Sequence, residues 1–497
     1  MVKKLWQQHS FIILILIFAL GLRLPQLNGS FWLDEAAQAL ESSRPWSQQL
    51  DIAADFQPPL IHLILFFALK ISTAEWWLRT IVALIPGLVT IWATYELGRK
   101  LINKKVGVIA ALLLTTSSFH IFYSQELRPY SLPTMWAILS WLPLLTAVRL
   151  KKFSRSHWLG YTIISLLGFY SSYLYPFFWI VQFLWVIWQQ RHKSREMISS
   201  AVLIGLGFVP WLPSFLEQLA VGETVRQRLP GWEKVVSISQ TKSPALVVGK
   251  FIYGVMNIEP TFFFITSFLI ISTTFIYLIY LNWTKFKKIK TLKNLSLICS
   301  WLILPLLLAW IVSFWVPVIR PKRVLFLLPA AYLLVGQIVT VGRKKIQRQW
   351  GTVLVSILLL LNLLGVLQYH FNPYYQRENW RSLYQEITAN YLPAETILLF
   401  SYPNPFSPWR WYDQDKYPTL ATGKLYIENV NQLSTSIKVI SEYKYILLFD
   451  YLRDLTDPND RLRTELWSLG FHEINTLDYP NIGFIRVFSR YKPTAKL

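Results

Sequence analysis

Residues 79–132 read RTIVALIPGLVTIWATYELGRKLINKKVGVIAALLLTTSSFHIFYSQELRPYSL. Two apolar runs, 78–98 and 106–124, are joined by the basic connection GRKLINKK (98–105) and followed by SQELRPYS (124–131). Each run is long enough to cross the hydrocarbon of a bilayer. A short connection rich in Lys and Arg stays on the cytoplasmic side. The pattern therefore predicts a transmembrane hairpin, with Glu126, Arg128 and Tyr130 at its far, extracytoplasmic end.

Similar runs recur on either side. Together they predict a mainly α polytopic membrane protein with about eleven spans, at 11–27, 78–98, 106–124, 131–149, 158–174, 176–190, 197–216, 261–282, 295–316, 324–341 and 351–369. Composition agrees: 53% of residues are hydrophobic and 15% charged, against about 25% charged in soluble domains. MVKKLWQQHS resembles the basic start of a signal peptide, but no small-residue cleavage site follows, so the first span is read as retained. The segment PPLIHLILFFALK (58–70) is too short to cross and is expected to be re-entrant or interfacial.

The net charge of +22 is topological rather than a footprint for nucleic acid. Lys3 and Lys4, GRKLINKK, RLKKFSR (149–155), RHKSR (191–195), KFKKIKTLK (285–293) and RKKIQR (343–348) hold 22 of the 49 Lys and Arg. With Glu196 set aside as their one neighbouring acid, the remaining chain carries 27 basic and 26 acidic residues. Alternating spans with a cytoplasmic N-terminus put all six basic connections inside. The first loop (28–57), the loop 217–260 and everything after about residue 370 then lie outside.

Residues 371–497 change character. ENWRSLYQEITANYL has helical periodicity, TILLFSY, KYILLFDYL and IGFIRVFS read as buried strands, and DPNDRLRTELWSLGF reads as a capped helix ending at Gly470. This predicts a small extracytoplasmic α/β domain after a membrane domain of residues 1–370. The single cysteine, Cys299, allows no intramolecular disulfide. There is no P-loop, no strand-associated GxGxxG and no Cys/His zinc spacing, so neither a cofactor nor a metal is expected.

The outward-facing polar groups gather in three places. NGSFWLDEAAQA (28–39) offers Asp34 and Glu35, SQELRPYS offers Arg128 and Tyr130, and VIRPKR offers Arg320, Lys322 and Arg323. A carboxylate can take the proton of a hydroxyl nucleophile, and cations aimed at a departing phosphate bind the transition state better than the ground state. Acids and cations at one face therefore suit transfer of a sugar from a lipid phosphate to a hydroxyl. His62, His120 and His157 lack spaced partners and read as packing or hydrogen-bonding residues, and Trp76, Trp77, Trp211 and Tyr173 fit an interfacial aromatic belt.

These stretches, FWLDEA, QPPL and residues 79–132 above all, resemble the polytopic glycosyltransferases of GT-C fold, in the family 39-like group of protein O-mannosyltransferases and lipid A aminoarabinose transferases. The likeness covers roughly residues 8–345, and RPKRVLFLLPA is similar to the family's RYLLPLLPA-type stretch, with Val324 where Tyr is commoner. ENWRSL is similar to the segment after the last helix of bacterial members. The resemblance implies Asp34 as the base, Glu35 as its partner, and Arg128 with Tyr130 near the lipid phosphate. It leaves open whether Arg320 or Arg323 makes the second phosphate contact. It further implies an inverting transferase of the cytoplasmic membrane with a polyprenyl-phosphate sugar donor and a lipid, glycan or protein acceptor. A transporter or flippase of lipid-linked sugars is the rival reading. Such proteins place their sites near the bilayer midplane between repeats, whereas these charges sit at the outer rim and no repeat is evident.

Overall fold

The computed structural model describes residues 2–52, 55–228, 239–259, 261–401, 406–421, 427 and 437–490. The chain forms two compact units. The first comprises Met1–Asn28, Arg44–Gly222 and Val236–Tyr375, and the second Gly29–Ser43, Glu223–Val235 and Gln376–Leu497.

The first unit is helical throughout. Among the described residues, seven helices are long and apolar enough to cross a membrane: Glu75–Leu101, Ser131–Arg149, Arg191–Gly222, Phe262–Phe286, Thr291–Val312, Pro321–Val341 and Lys345–Phe371. Each coincides with an expected span. The other expected spans are helical but shorter, because local chemistry interrupts them. The run 106–124 breaks at Ser117, whose side chain accepts from the His120 N–H, leaving Lys104–Thr116 and Ser118–Tyr123. The runs 158–174 and 176–190 become helices of 15 residues each, Arg155–Phe169 and Tyr175–Gln189, or about 22 Å at 1.5 Å per residue. The first helix is Val2–Gly21, with its apolar part at Phe11–Gly21. The segment 58–70 forms the ten-residue helix Leu60–Leu69, too short to cross.

Burial separates inner helices from outer ones. Nearly three quarters of the apolar window of Glu75–Leu101 is buried, but only 17% of that of Phe262–Phe286. Phe262, Ile265, Leu269, Ile276 and Tyr280 on the latter are exposed, as a lipid-facing surface requires.

The hairpin formed by Glu75–Leu101 and Lys104–Thr116 is held by small residues and one cap. A Cβ at Gly98 would lie 2.7 Å from the Gly107 Cα, and one at Gly107 would lie 2.4 Å from the Tyr95 carbonyl oxygen. The two backbones therefore touch, the arrangement by which helices associate in lipid. Asn103 turns the chain between them and accepts from the Val106 N–H. In the preceding helix, Thr80–Leu84 widens into a π turn just before Pro86, which relieves the missing donor and the ring clash that proline brings to a helix interior. Buried Arg23 donates to the carbonyls of Ala19 (2.9 Å) and Thr115 (3.2 Å), satisfying acceptors at two helix C-termini.

The second unit contains a five-stranded mixed sheet of order β2-β1-β3-β5-β4. Its strands are β1 Thr396–Phe400, β2 Thr419–Ala421, β3 Tyr445–Phe449, β4 His472–Tyr479 and β5 Gly483–Ser489. β1 pairs in parallel with β2 and β3, while β3–β5 and β4–β5 are antiparallel. Alternation along β1 sends Leu398 and Phe400 to one core with Trp380, Leu383 and Ile387, and Ile397 and Leu399 to another with Leu462, Leu466 and Phe471. The helix Trp380–Asn390 starts where Asn379 accepts from the Ser382 N–H. In the helix Arg461–Ser468, the cap comes from Asp457, which receives the N–H groups of Arg461 and Leu462 at 3.0 Å each. Gly470 follows it at φ +81°.

Candidate active site

In the first unit, Arg128 and Tyr130 follow the helix Ser118–Tyr123 in a tight turn and precede Ser131–Arg149. Tyr130 is buried, and the Lys322 ammonium lies over its ring at 5.1 Å. Two of the expected cation-site residues thus meet. Lys322 belongs to the 3-10 segment Pro321–Leu327. Arg323 beside it donates to the carbonyls of Pro317 (3.0 Å) and Val318 (3.2 Å), so its guanidinium holds its own turn. Arg320 precedes that segment in extended conformation.

Arg128 has a partner that the sequence did not single out. Its guanidinium lies 3.5 Å from Asp55, whose other oxygen receives His62 Nε2–H at 2.6 Å, and Gln57 donates its amide to the same carboxylate. Burial acts to raise the Asp55 pKa, but Arg128, His62 and Gln57 outweigh it and hold the carboxyl below its ordinary range. The loop is itself held. Gln218 donates to the carbonyls of Ile52 (2.8 Å) and Gln57 (3.1 Å) and accepts from the Tyr173 hydroxyl at 2.6 Å, and that hydroxyl accepts from the Trp211 indole at 2.9 Å. Tyr173 and Trp211 therefore brace a polar loop as well as being aromatic residues of the kind found at membrane interfaces. His62 is wholly buried in a hydrogen-bonding role.

In the second unit, Asp34 and Glu35 lie in the first turn of the helix Leu33–Ser42. Acids are favoured there by the helix dipole. Asp34 is half-buried, whereas Glu35 is fully buried and pairs with Arg377 at 3.7 Å. Glu378 lies next in sequence to Arg377. Its carboxylate accepts from the Trp380 indole (2.6 Å) and the Tyr451 hydroxyl (2.7 Å). Burial pushes this carboxyl up to about 7, with the Trp380 and Tyr451 donors opposing the rise and nearby Asp34 adding to it.

The sign of the resulting pH dependence follows from that rise. A carboxyl that holds its proton more tightly when folded stabilises the fold at low pH, and loses that contribution as pH climbs from its unfolded value toward 7. The loss amounts to about 3 kcal/mol. Melting of the full chain between pH 5 and 8 is expected to fall more steeply in wild type than in Glu378→Gln. Parallel curves would contradict the assignment.

Neither Asp55 nor Glu378 was nominated from sequence. Asp55 had one signal, an acid immediately ahead of FQPPL and seven residues before His62. Glu378 stood within ENWRSL, the one stretch beyond residue 370 that resembled the family. Of the loop 217–260, the structure describes helix through Arg228 and again at Ser243–Tyr253, and 229–238 lies outside the described residues.

Residues 56–214 match the sequence model of the dolichyl-phosphate-mannose-protein mannosyltransferase family. No curated protein matches the chain. Among solved structures, ArnT from Cupriavidus metallidurans bound to undecaprenyl phosphate is similar with a TM-score of 0.58 at 13% identity, covering 97% of this chain and 98% of that one. The Archaeoglobus fulgidus oligosaccharyltransferase tethered with an acceptor peptide is similar with a TM-score of 0.55 at 13% identity, over 97% of this chain and 74% of that one. The oligosaccharyltransferase AglB of the same organism, in complex with an inhibitory peptide and a dolichol-phosphate, gives 0.52 at 13% identity, over 100% and 75%. A likeness this extensive at so low an identity is one of architecture: the chain carries the GT-C fold of the polytopic glycosyltransferases.

Proposed function

We propose that this protein is an inverting glycosyltransferase that moves a single sugar from a polyprenyl-phosphate donor to an acceptor hydroxyl at the extracytoplasmic face of the cytoplasmic membrane. Asp34 takes the proton of the acceptor hydroxyl as its oxygen bonds to the anomeric carbon. The bond from that carbon to the phosphate oxygen breaks, and the lipid phosphate leaves with the electron pair. Arg128, Lys322 and a second arginine, Arg320 or Arg323, neutralise the charge that grows on it, and planar Arg can engage two oxygens at once. One displacement inverts the anomeric centre. Glu35, tied to Arg377, shapes the first turn rather than reacting.

The observation that carries this reading is a cavity of about 680 Å³ in the first unit, lined by Phe251, Phe268, Leu302, Trp310, Leu327 and Leu358 among other apolar side chains. Leu327 ends the same short segment that bears Lys322. An apolar recess walled in part by the end of the segment that bears Lys322 suits an amphiphile with an isoprenoid tail and an anionic head. The match to a mannosyltransferase family over residues 56–214 favours a single-sugar donor over the lipid-linked oligosaccharide that the oligosaccharyltransferase likeness also permits. The six basic connections support a cytoplasmic N-terminus, with residues 371–497 outside.

A density map of the full chain purified with undecaprenyl phosphate retained tests the donor site. The expected result is a phosphate against Arg128, Lys322 or the second arginine (Arg320 or Arg323) and a tail in the cavity. A headgroup remote from all three, or a cavity left to detergent, would overturn the donor assignment.

A further inference from the structure

The acidic pair is held from both sides by residues far along the chain. Ahead of it, the Phe31 N–H donates to the Tyr412 hydroxyl at 2.8 Å, and that hydroxyl lies 3.0 Å from the Ser30 hydroxyl. Ser30 Oγ accepts in turn from the Arg381 N–H at 3.1 Å, so two hydroxyls and two backbone donors close one small network. The buried Phe31 ring packs against Trp411, the neighbour of Tyr412, with centroids 5.4 Å apart. Behind Asp34, buried Glu35 pairs with Arg377. The helix Leu33–Ser42 gets no such hold from its own start. Its N-cap residue, Trp32, contributes no side-chain hydrogen bond, and the first helical N–H groups, those of Glu35 and Ala36, run to the Trp32 carbonyl. Where Phe31 is placed therefore sets where the first turn begins.

We propose that Tyr412 is a positioning residue for the acidic pair: its hydroxyl holds Ser30 and Phe31, the residues that lead into the first turn, and so fixes the backbone from which Asp34 projects. The proposal rests on the reading of Asp34 as the base. Tyr412 touches no reacting atom in this scheme. It passes the rigidity of its own helix, Ser407–Asp413, to the turn. In that helix Trp409 is buried against Phe449 (5.7 Å between centroids) and Tyr384 (5.5 Å), and Asp413 accepts from the Tyr417 N–H at 3.0 Å. A displacement of about 1 Å at a catalytic group is enough to cost about a hundredfold in rate. The single oxygen of Tyr412 serves two neighbouring groups at once, so its loss is felt at both.

Tyr412→Phe removes that oxygen and keeps the ring, and Ser30→Ala removes its partner. Two measurements on the full-length protein in detergent decide the matter. The first is hydrogen–deuterium exchange of the peptides spanning residues 28–36 and 380–390. In Tyr412→Phe the first peptide is expected to exchange about tenfold faster, and the second to stay within about twofold of wild type. The second measurement is transfer from undecaprenyl-phosphate-linked sugars isolated from membranes to an extract of envelope acceptors. Turnover at saturating donor is expected to fall at least about tenfold in Tyr412→Phe, with the donor KM within about twofold of wild type. Ser30→Ala is expected to lower turnover by a smaller factor and to add little on top of Tyr412→Phe, because the two groups act through one network. Unchanged exchange of residues 28–36, or equal loosening of both peptides, would overturn the hold on the turn. A loosened turn with undiminished turnover, a rise in KM at constant kcat, or full addition of the two substitutions would overturn the positioning role. Should wild type transfer none of the sugars, or Asp34→Asn transfer them as fast as wild type, the functional reading fails, and the exchange measurement still decides whether Tyr412 holds the turn.

Discussion

Asp34→Asn is expected to lower sugar transfer by about a hundredfold to ten-thousandfold, the range that positioned general bases contribute. The change keeps size and shape, and Asp34 is half-buried at a helix start where Asn is well tolerated. Folding and lipid-phosphate binding are therefore expected to survive. Initial rates with undecaprenyl-phosphate sugars, measured beside thermal melting, check both halves of the statement. Glu35→Gln is expected to behave in the opposite sense, because it strips the charge partner from buried Arg377. Weakening a buried charge pair is destabilising, so this variant is expected to lose stability first and activity with it. Full activity in Asp34→Asn would remove Asp34 as the base.

Arg128→Ala is expected to weaken the donor and slow turnover together, because a guanidinium on the phosphate is used in binding and used more as charge develops. Loss of hydrogen bonds to a charged group is worth about 1.5–3 kcal/mol, or roughly tenfold to a hundredfold in kcat/KM. Arg128 also lies beside Asp55, and its removal lets that buried carboxyl rise toward the protonated form. An Asp55→Asn control separates the two effects, since it leaves Arg128 charged. Steady-state kinetics over a donor series check the prediction, and unchanged constants would reassign Arg128 to anchoring at the interface.

Much of this architecture is written in short-range pattern. The seven long helices and strands β1, β3 and β5 are legible because unbroken apolar runs have few alternatives. β2 is three residues long and β4 is half polar, both at sheet edges, so their pairing carries more information than their composition. The expected spans around 106–124 and 158–190 ran on through helix ends that depend on the Ser117 hydroxyl and on turns invisible to a hydropathy average. The same divide runs through the candidate site. Asp34, Glu35 and Arg128 stand out as charges beside apolar runs. Asp55 and Glu378 matter through partners distant in the chain, Arg128 for one and Tyr451 for the other, and only folding brings those together.

The central claim is that a lipid phosphate is the leaving group and Asp34 the proton acceptor. Its most direct test is to incubate the purified protein with undecaprenyl-phosphate-linked sugars and an extract of envelope acceptors, and to follow free undecaprenyl phosphate by mass spectrometry. The account predicts release that tracks glycosylated product one for one in wild type and is all but absent in Asp34→Asn. Release at equal rates in the two proteins, or none in wild type with any sugar of the pool, would contradict it.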